Sequence, residues 1–162
     1  MHDELGNAVA RDNPCAMSEE SRTPDVLELM RALSDAPAGE ASLAFYAPDA
    51  IYDMSRLGMT AFEGRDAIGR FLEDWHRNYD EYDDEIEELA HVGGGVVYIT
   101  VRQNARPSGS PSHVRLRDLY GYVFEWRDGK VTRATVYADI DEARSAAEQM
   151  AVSRPDRPCR RR

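Results

Sequence analysis

Cysteine is scarce in this chain: Cys15 and Cys159 are the only two, both near its ends. Neither has a second Cys or a His at metal-ligand spacing, so no disulfide framework is implied and both read as free thiols. Long apolar runs are also lacking. None approaches the ~18–20 residues needed to cross a bilayer, and the acidic start (Asp3, Glu4) lacks the basic-then-apolar order of a secretory signal. A cytoplasmic protein with no membrane partner is expected. Basic charge is short as well: 20 Lys and Arg face 30 Asp and Glu, a net charge of −10. A nucleic-acid binder needs a basic stripe to displace phosphate counterions, so that class is set aside. No phosphate-binding glycine pattern is present. Gly93-Gly94-Gly95 lies between two strand-like stretches without a following helix and reads as a turn.

What is there is ordinary for a globular domain: 42% apolar and 31% charged residues in a 162-residue chain. Residues 1–21 are polar and aperiodic and contain Asn13-Pro14, so they are expected to be a disordered leader, with Met17 as a second plausible start. Residues 151–162, with five arginines and two prolines, are expected to be a basic flexible tail. One domain, 22–150, lies between them.

Within that domain, Thr23-Pro24 predicts a helix start, followed by Val26, Leu29, Met30 and Leu33 at helical spacing. A short second helix is expected around Leu43, Phe45 and Tyr46, then a strand Ala50–Met54 and a loop Ser55–Glu63. Ile68, Phe71, Leu72, Trp75 and Tyr79 give the clearest helical stripe. Strands are predicted over 84–92, 96–104, 113–127 and 131–139, with Asp128-Gly129 as a hairpin turn. A last helix, capped by Asp141, carries Ala143, Ala146, Ala147 and Met150. Helices early and strands late predict an α+β fold.

This order, with LAFYAPDAIYD (43–53), FEGRDAIGRFLEDW (62–75) and YVFEWRDGKVTRATVYAD (122–139), resembles the SnoaL-like and ketosteroid-isomerase-like branch of the nuclear transport factor 2-like superfamily. The resemblance implies a cone-shaped, curved mixed β-sheet wrapped around helices (a cystatin-like roll), with a pocket for a hydrophobic small molecule. It also implies a homodimer through the outer sheet face, and chemistry without a metal or organic cofactor. Laid on the ketosteroid isomerase pattern, Asp53 takes the place of the proton-shuttling carboxylate, and Tyr122 stands near that of the protonated aspartate. The first-helix tyrosine of that pattern falls at Leu29. The charges of the epoxide hydrolase pattern fall at Val101, Gln103 and Val136, so that reaction is not expected.

Alternation then distributes the strands' side chains. With Tyr122 facing inward, Asp118, Tyr120 and Phe124 share its side, as do Leu116 and Trp126. Val97, Ile99, Val101 and Gln103 line the pocket from the neighbouring strand, Val136 from the last, and Trp75 from the third helix. For Trp75 the alternative is plain core packing. Asp53 is either a base whose charge is disfavoured by an apolar pocket, or a strand-end aspartate bonded to the following loop. Asp118 is a second acid–base candidate, or it pairs with Arg115 or Arg117, or it sits at the rim. Tyr98, Arg102, Arg133 and Tyr137 mark the outer face, open to a second copy or to solvent. His76 faces either the pocket mouth or solvent; with His91 and His113 it is scattered and makes no metal site. The acidic run DEYDDEIEE (80–88) lacks the spacing of a calcium loop and reads as a solvated strand edge. Three functions follow: a cofactor-free isomerase or cyclase acting on a polycyclic or terpenoid-like ketone, a non-catalytic ligand binder, or a dimerisation module.

Overall fold

The computed structural model of the protein describes residues 25–154. The expected leader, both cysteines, Thr23-Pro24 and the last eight residues of the expected tail lie outside them.

Helix α1 (Val26–Asp35) forms where the apolar stripe predicts it, with Met30 and Leu33 buried. Asp25 caps it, its carboxylate accepting from the Leu27 amide at 3.4 Å. The expected second helix is shorter and earlier, α2 (Glu40–Leu43). Tyr46 instead begins strand β1 (Tyr46–Asp53). The reason is tertiary: the Val131 amide donates to the Phe45 carbonyl at 2.8 Å and Lys130 Nζ to that of Ala44 at 2.6 Å, which draws this stretch out beside the last strand. Pro48 lies inside β1. Lacking an N–H, it falls where the ladder slips, between Tyr46 and Ile51. The expected loop contains a 3₁₀ turn, Ser55–Leu57, and a short strand β2 (Ala61–Glu63) antiparallel to β1.

Helix α3 (Arg65–Arg77) matches its stripe except at the end, where Tyr79 opens strand β3 (Tyr79–Gly93). β4 (Val96–Pro107), β5 (Leu116–Arg127) and β6 (Lys130–Tyr137) then meander antiparallel. The turn between β5 and β6 has positive φ at both Asp128 and Gly129, as a two-residue hairpin needs. The final helix, α4 (Ile140–Ser153), is capped by Asp139 rather than Asp141, and it takes up the first residues of the expected tail.

The sheet order is β2-β1-β6-β5-β4-β3, with β1 and β6 parallel and every other pair antiparallel. This mixed, curved, unclosed sheet with its helices is the expected α+β roll. No helix among the described residues is long and apolar enough to cross a membrane.

Each face of the sheet has its own core. On the concave side Tyr52, Ile99, Val101, Phe124 and Val136 pack with Met30, Ile68 and Phe71 from α1 and α3. On the convex side α4 lies across Tyr98, Val123 and Tyr137, burying Ala143 and Ala147 against them. The approach is close: a Cβ at Gly121 would sit 2.5 Å from that of Ala143. Arg144 pairs with Glu88, and Arg154 with Glu125, fixing the helix at both ends. This corrects the expectation of an open outer face. Its half nearest the Gly93–Gly95 turn is covered by the chain's own C-terminal helix, leaving the end that carries Arg102, Arg117 and Leu119.

Candidate functional site

The concave side holds a cavity of about 520 Å³, bounded by α1, α3 and strands β1 and β3–β6. Register explains its walls. Residues paired directly across antiparallel strands project on the same face, and one inward row runs Ile86–Val101–Tyr120 while another runs Ile99–Tyr122–Val136. Asp84 pairs with Gln103, which in turn pairs with Asp118. From β1, Tyr52 stands beside Ala134 of β6. The floor is apolar, lined by the buried Met30, Leu33, Phe71 and Val136. Ser34, Asp35, Asp84 and Ile86 line the cavity while remaining solvent-exposed, and so form its mouth.

Of the expected site residues, Trp75, Ile99, Val101, Gln103, Tyr120, Tyr122, Phe124 and Val136 line this cavity together. Val97 faces the same side but is wholly buried in the core and does not border the cavity. Asp118 lies on the inward row yet is exposed at the rim, where its carboxylate bonds with the Tyr120 hydroxyl. Leu116 is likewise exposed.

Asp53 is not in the cavity. Strand alternation gives the inward positions of β1 to Tyr52 and Met54, and turns Asp53 to the convex side. There it accepts from the Ser55 amide at 2.9 Å and pairs with the Arg133 guanidinium. Burial would raise its pKa, but the bonds from Ser55 and Arg133 outweigh it and hold the carboxyl below its ordinary range. It is the strand-end carboxylate tied to the following loop.

A carboxylate of the sheet that does face the cavity is Asp84, from the acidic run expected to be a plain solvated edge. Desolvation raises its pKa, and the neighbouring Asp83 adds to this. The Tyr82 hydroxyl and the His76 ring oppose the rise without cancelling it. Tyr82 is held in turn by the Trp75 indole, whose N–H donates to its hydroxyl, and by the His76 ring, edge-on at 4.8 Å. His76 Nδ1 lies 2.8 Å from the Leu72 carbonyl. A carbonyl only accepts, so this nitrogen carries the proton and Nε2 is left as the acceptor in the neutral ring. Deeper in, the Tyr52 and Tyr122 hydroxyls are hydrogen-bonded to each other. Burial raises both phenols far above 10, and the Asp84 charge contributes to both shifts. They therefore stay protonated and able to donate.

Sequence reasoning missed Asp84, Tyr82 and Tyr52, and left His76, which lines the cavity, between the pocket mouth and solvent. The signal for the first two was present: Tyr82, Asp84 and Ile86 alternate within the acidic run. Among the described residues, no three His, Cys, Asp or Glu side chains converge as metal ligands would.

Comparison with known proteins adds to this geometry. A family model described as a SnoaL-like domain matches residues 26–134. No curated protein matches the chain. Solved structures do. One assigned as a SnoaL-like polyketide cyclase from Shewanella putrefaciens CN-32 is 19% identical, covers 82% of this chain and 90% of its own, and has a TM-score of 0.59. A protein with a ketosteroid isomerase-like fold from Catenulispora acidiphila, in complex with trimethylamine, is 17% identical over 72% of this chain and 86% of its own, at a TM-score of 0.59. An epoxide hydrolase of the LEH-like type from M. tuberculosis is 16% identical over 79% and 92%, at 0.56. At these identities the likeness is one of fold, and the three carry different descriptions on it.

Proposed function

Because the chain belongs to the SnoaL-like domain family, we propose that its cavity takes up a hydrophobic small molecule and moves a proton on it, as a cofactor-independent isomerase or cyclase of a polycyclic or terpenoid-like ketone. The observation that carries this reading is one cavity holding both halves of such chemistry: a carboxylate, Asp84, at the mouth and a protonated phenol pair, Tyr52 and Tyr122, deeper in. A volume of about 520 Å³ suits a molecule of a few fused rings.

In the proposed step, ionised Asp84 takes a proton from the carbon beside the ketone. The electron pair moves onto the oxygen, and the enolate receives a hydrogen bond from Tyr122, which burial keeps protonated. Protonated Asp84 then returns its proton to a second carbon, so nothing is consumed. Tyr82, held by Trp75, orients the carboxylate. Asp84 replaces Asp53 as the proposed base, since Asp53 faces away. Tyr122 keeps the donor role, and Gln103, Tyr120, Phe124, Ile99, Val101 and Val136 shape the ligand site.

The test follows the α-protons of a probe ketone, 2-tetralone, by proton NMR in D₂O. Catalysed exchange lost in Asp84→Asn and kept in Asp53→Asn supports the reading; exchange unaffected by Asp84→Asn overturns it.

A non-catalytic binder on the same fold is favoured by one observation: Asp84 stands at the exposed mouth, and the cavity floor below it is apolar. The complex of the C. acidiphila relative with trimethylamine supports small-molecule binding in either case. Native mass spectrometry that finds a co-purified ligand, together with no exchange on any ketone, decides for the binder. Pairing of two copies through the convex face is confined in this proposal to the strip that α4 leaves open.

A further inference from the structure

We propose that the cavity selects ligands joining an apolar ring body to a positively charged nitrogen, and rejects carboxylates and phosphates of the same size. This rests on the small-molecule reading above and narrows the class of molecule it admits.

Three facts about the walls carry it. The lining's permanent charge is of one sign: the carboxylates Asp35 and Asp84 stand at the mouth, no Lys or Arg is among the 23 residues, and His76 is the one group able to carry a positive charge. A bound anion would meet no guanidinium or ammonium, and its desolvation would go uncompensated. Four arginines on or beside the cavity strands are engaged elsewhere. Arg102 pairs with Glu87, Arg106 with Asp80 and Glu81, Arg115 with Glu81, and Arg133 with Asp53.

The second fact is aromatic. Eight of the lining residues carry Phe, Tyr or Trp rings, and Trp75 and Tyr82 stand together close to the mouth carboxylates. Ring faces attract a cation as it loses water, while the rest of each ring packs against an apolar body. The third is positional. Helix α1 ends at Asp35 on the rim, so its carbonyl end adds negative potential where the charged nitrogen enters. Among the described residues no ion pair neutralises Asp35 or Asp84. Desolvation raises the pKa of Asp84, and the Tyr82 hydroxyl and the His76 ring offset this only in part. Glu85, paired across the strands with Arg102, turns its charge to the convex side.

The test uses three probes of matched shape titrated into the full chain by calorimetry. They are a benzyl ammonium, 4-(trimethylammoniomethyl)phenol; its neutral carbon isostere, 4-neopentylphenol; and an anion, 4-hydroxyphenylacetate. Expected is cation binding about tenfold or more above the neutral isostere, with no measurable binding of the anion. In Asp35→Asn and Asp84→Asn the cation's advantage falls while the isostere's affinity stays, with circular dichroism reporting intact folding. The inference is overturned if the isostere binds as well as the cation, or if the anion binds best; the cavity reading stands in both cases. If none of the three binds, the cavity reading itself fails and takes the inference with it.

Discussion

Asp53 and Arg133 sit on the neighbouring parallel strands β1 and β6 and pair on the convex face, on the opposite side of the sheet from Tyr52 and the cavity. The pair is structural in its consequences. Asp53 titrates below the ordinary value of about 3.9. Its contribution is therefore fully present above that unfolded value and lost as pH falls through the lowered folded one. Asp53→Asn is expected to lower unfolding stability at neutral pH by roughly 1–3 kcal/mol. Urea titrations should show the deficit shrinking on acidification, with ligand affinity unchanged throughout.

Asp84 predicts the opposite sign. Its folded pKa is raised, first by desolvation, so the folded state resists the charged form. That resistance is absent below the unfolded pKa and complete above the folded one. Asp84→Asn should accordingly raise the Tm at neutral pH relative to the parent and leave it unchanged near pH 3. In the parent, ketone exchange should climb with pH through a midpoint above the ordinary aspartate range, because the base must be ionised. A flat profile would count against Asp84 as the base.

Tyr122→Phe removes the proposed enolate donor while keeping the ring that lies parallel to Phe124 at 6.1 Å. Turnover of an identified ketone is expected to fall about 10²–10³-fold in kcat, with KM little changed. Loss confined to KM would mark the hydroxyl as a binding group only.

Much of the fold was legible in the sequence because periodicity reports burial. The α3 stripe, the β4–β6 meander and the Asp128-Gly129 turn all appear where pattern and turn chemistry put them. The inward set on β4 and β5 followed from one anchor, Tyr122, and most of it does line the cavity. The misses have local causes. On β1, Ile51 and Asp53 alternate with Tyr52 and Met54, and both parities contain an apolar residue, so hydrophobicity alone did not choose the face. In β3, nine consecutive residues rich in carboxylates concealed a period-two pattern. The short helix was misplaced at Tyr46 because the bond that makes that residue a strand comes from Val131, at the far end of the domain. The convex face was read without knowing that Ala143 and Ala147, spaced one helical turn apart, would lie on it.

That helix gives a stability prediction of its own. Gly121→Val pushes a branched side chain into Ala143, where even a Cβ would meet a neighbour at 2.5 Å. Overpacking there is expected to cost about 1–3 kcal/mol, measured by thermal unfolding. A larger space on the helix side, in the double variant Gly121→Val with Ala143→Gly, should recover part of it. Cavity binding lies on the other face and should be spared.

The parallel pairing of β1 with β6 has a kinetic consequence. Strands β3 to β6 follow one another and can zip together by short turns, but β1 must wait for a partner more than eighty positions later, Asp53 beside Thr135. Long-range pairing of this sort is slow to nucleate. Tyr52 arrives with β1, and the floor closes only when α1 and α3 settle over it. In a refolding experiment the far-ultraviolet signal of the meander should therefore return well before affinity for any ligand, and the cavity should be among the last features of the molecule to form.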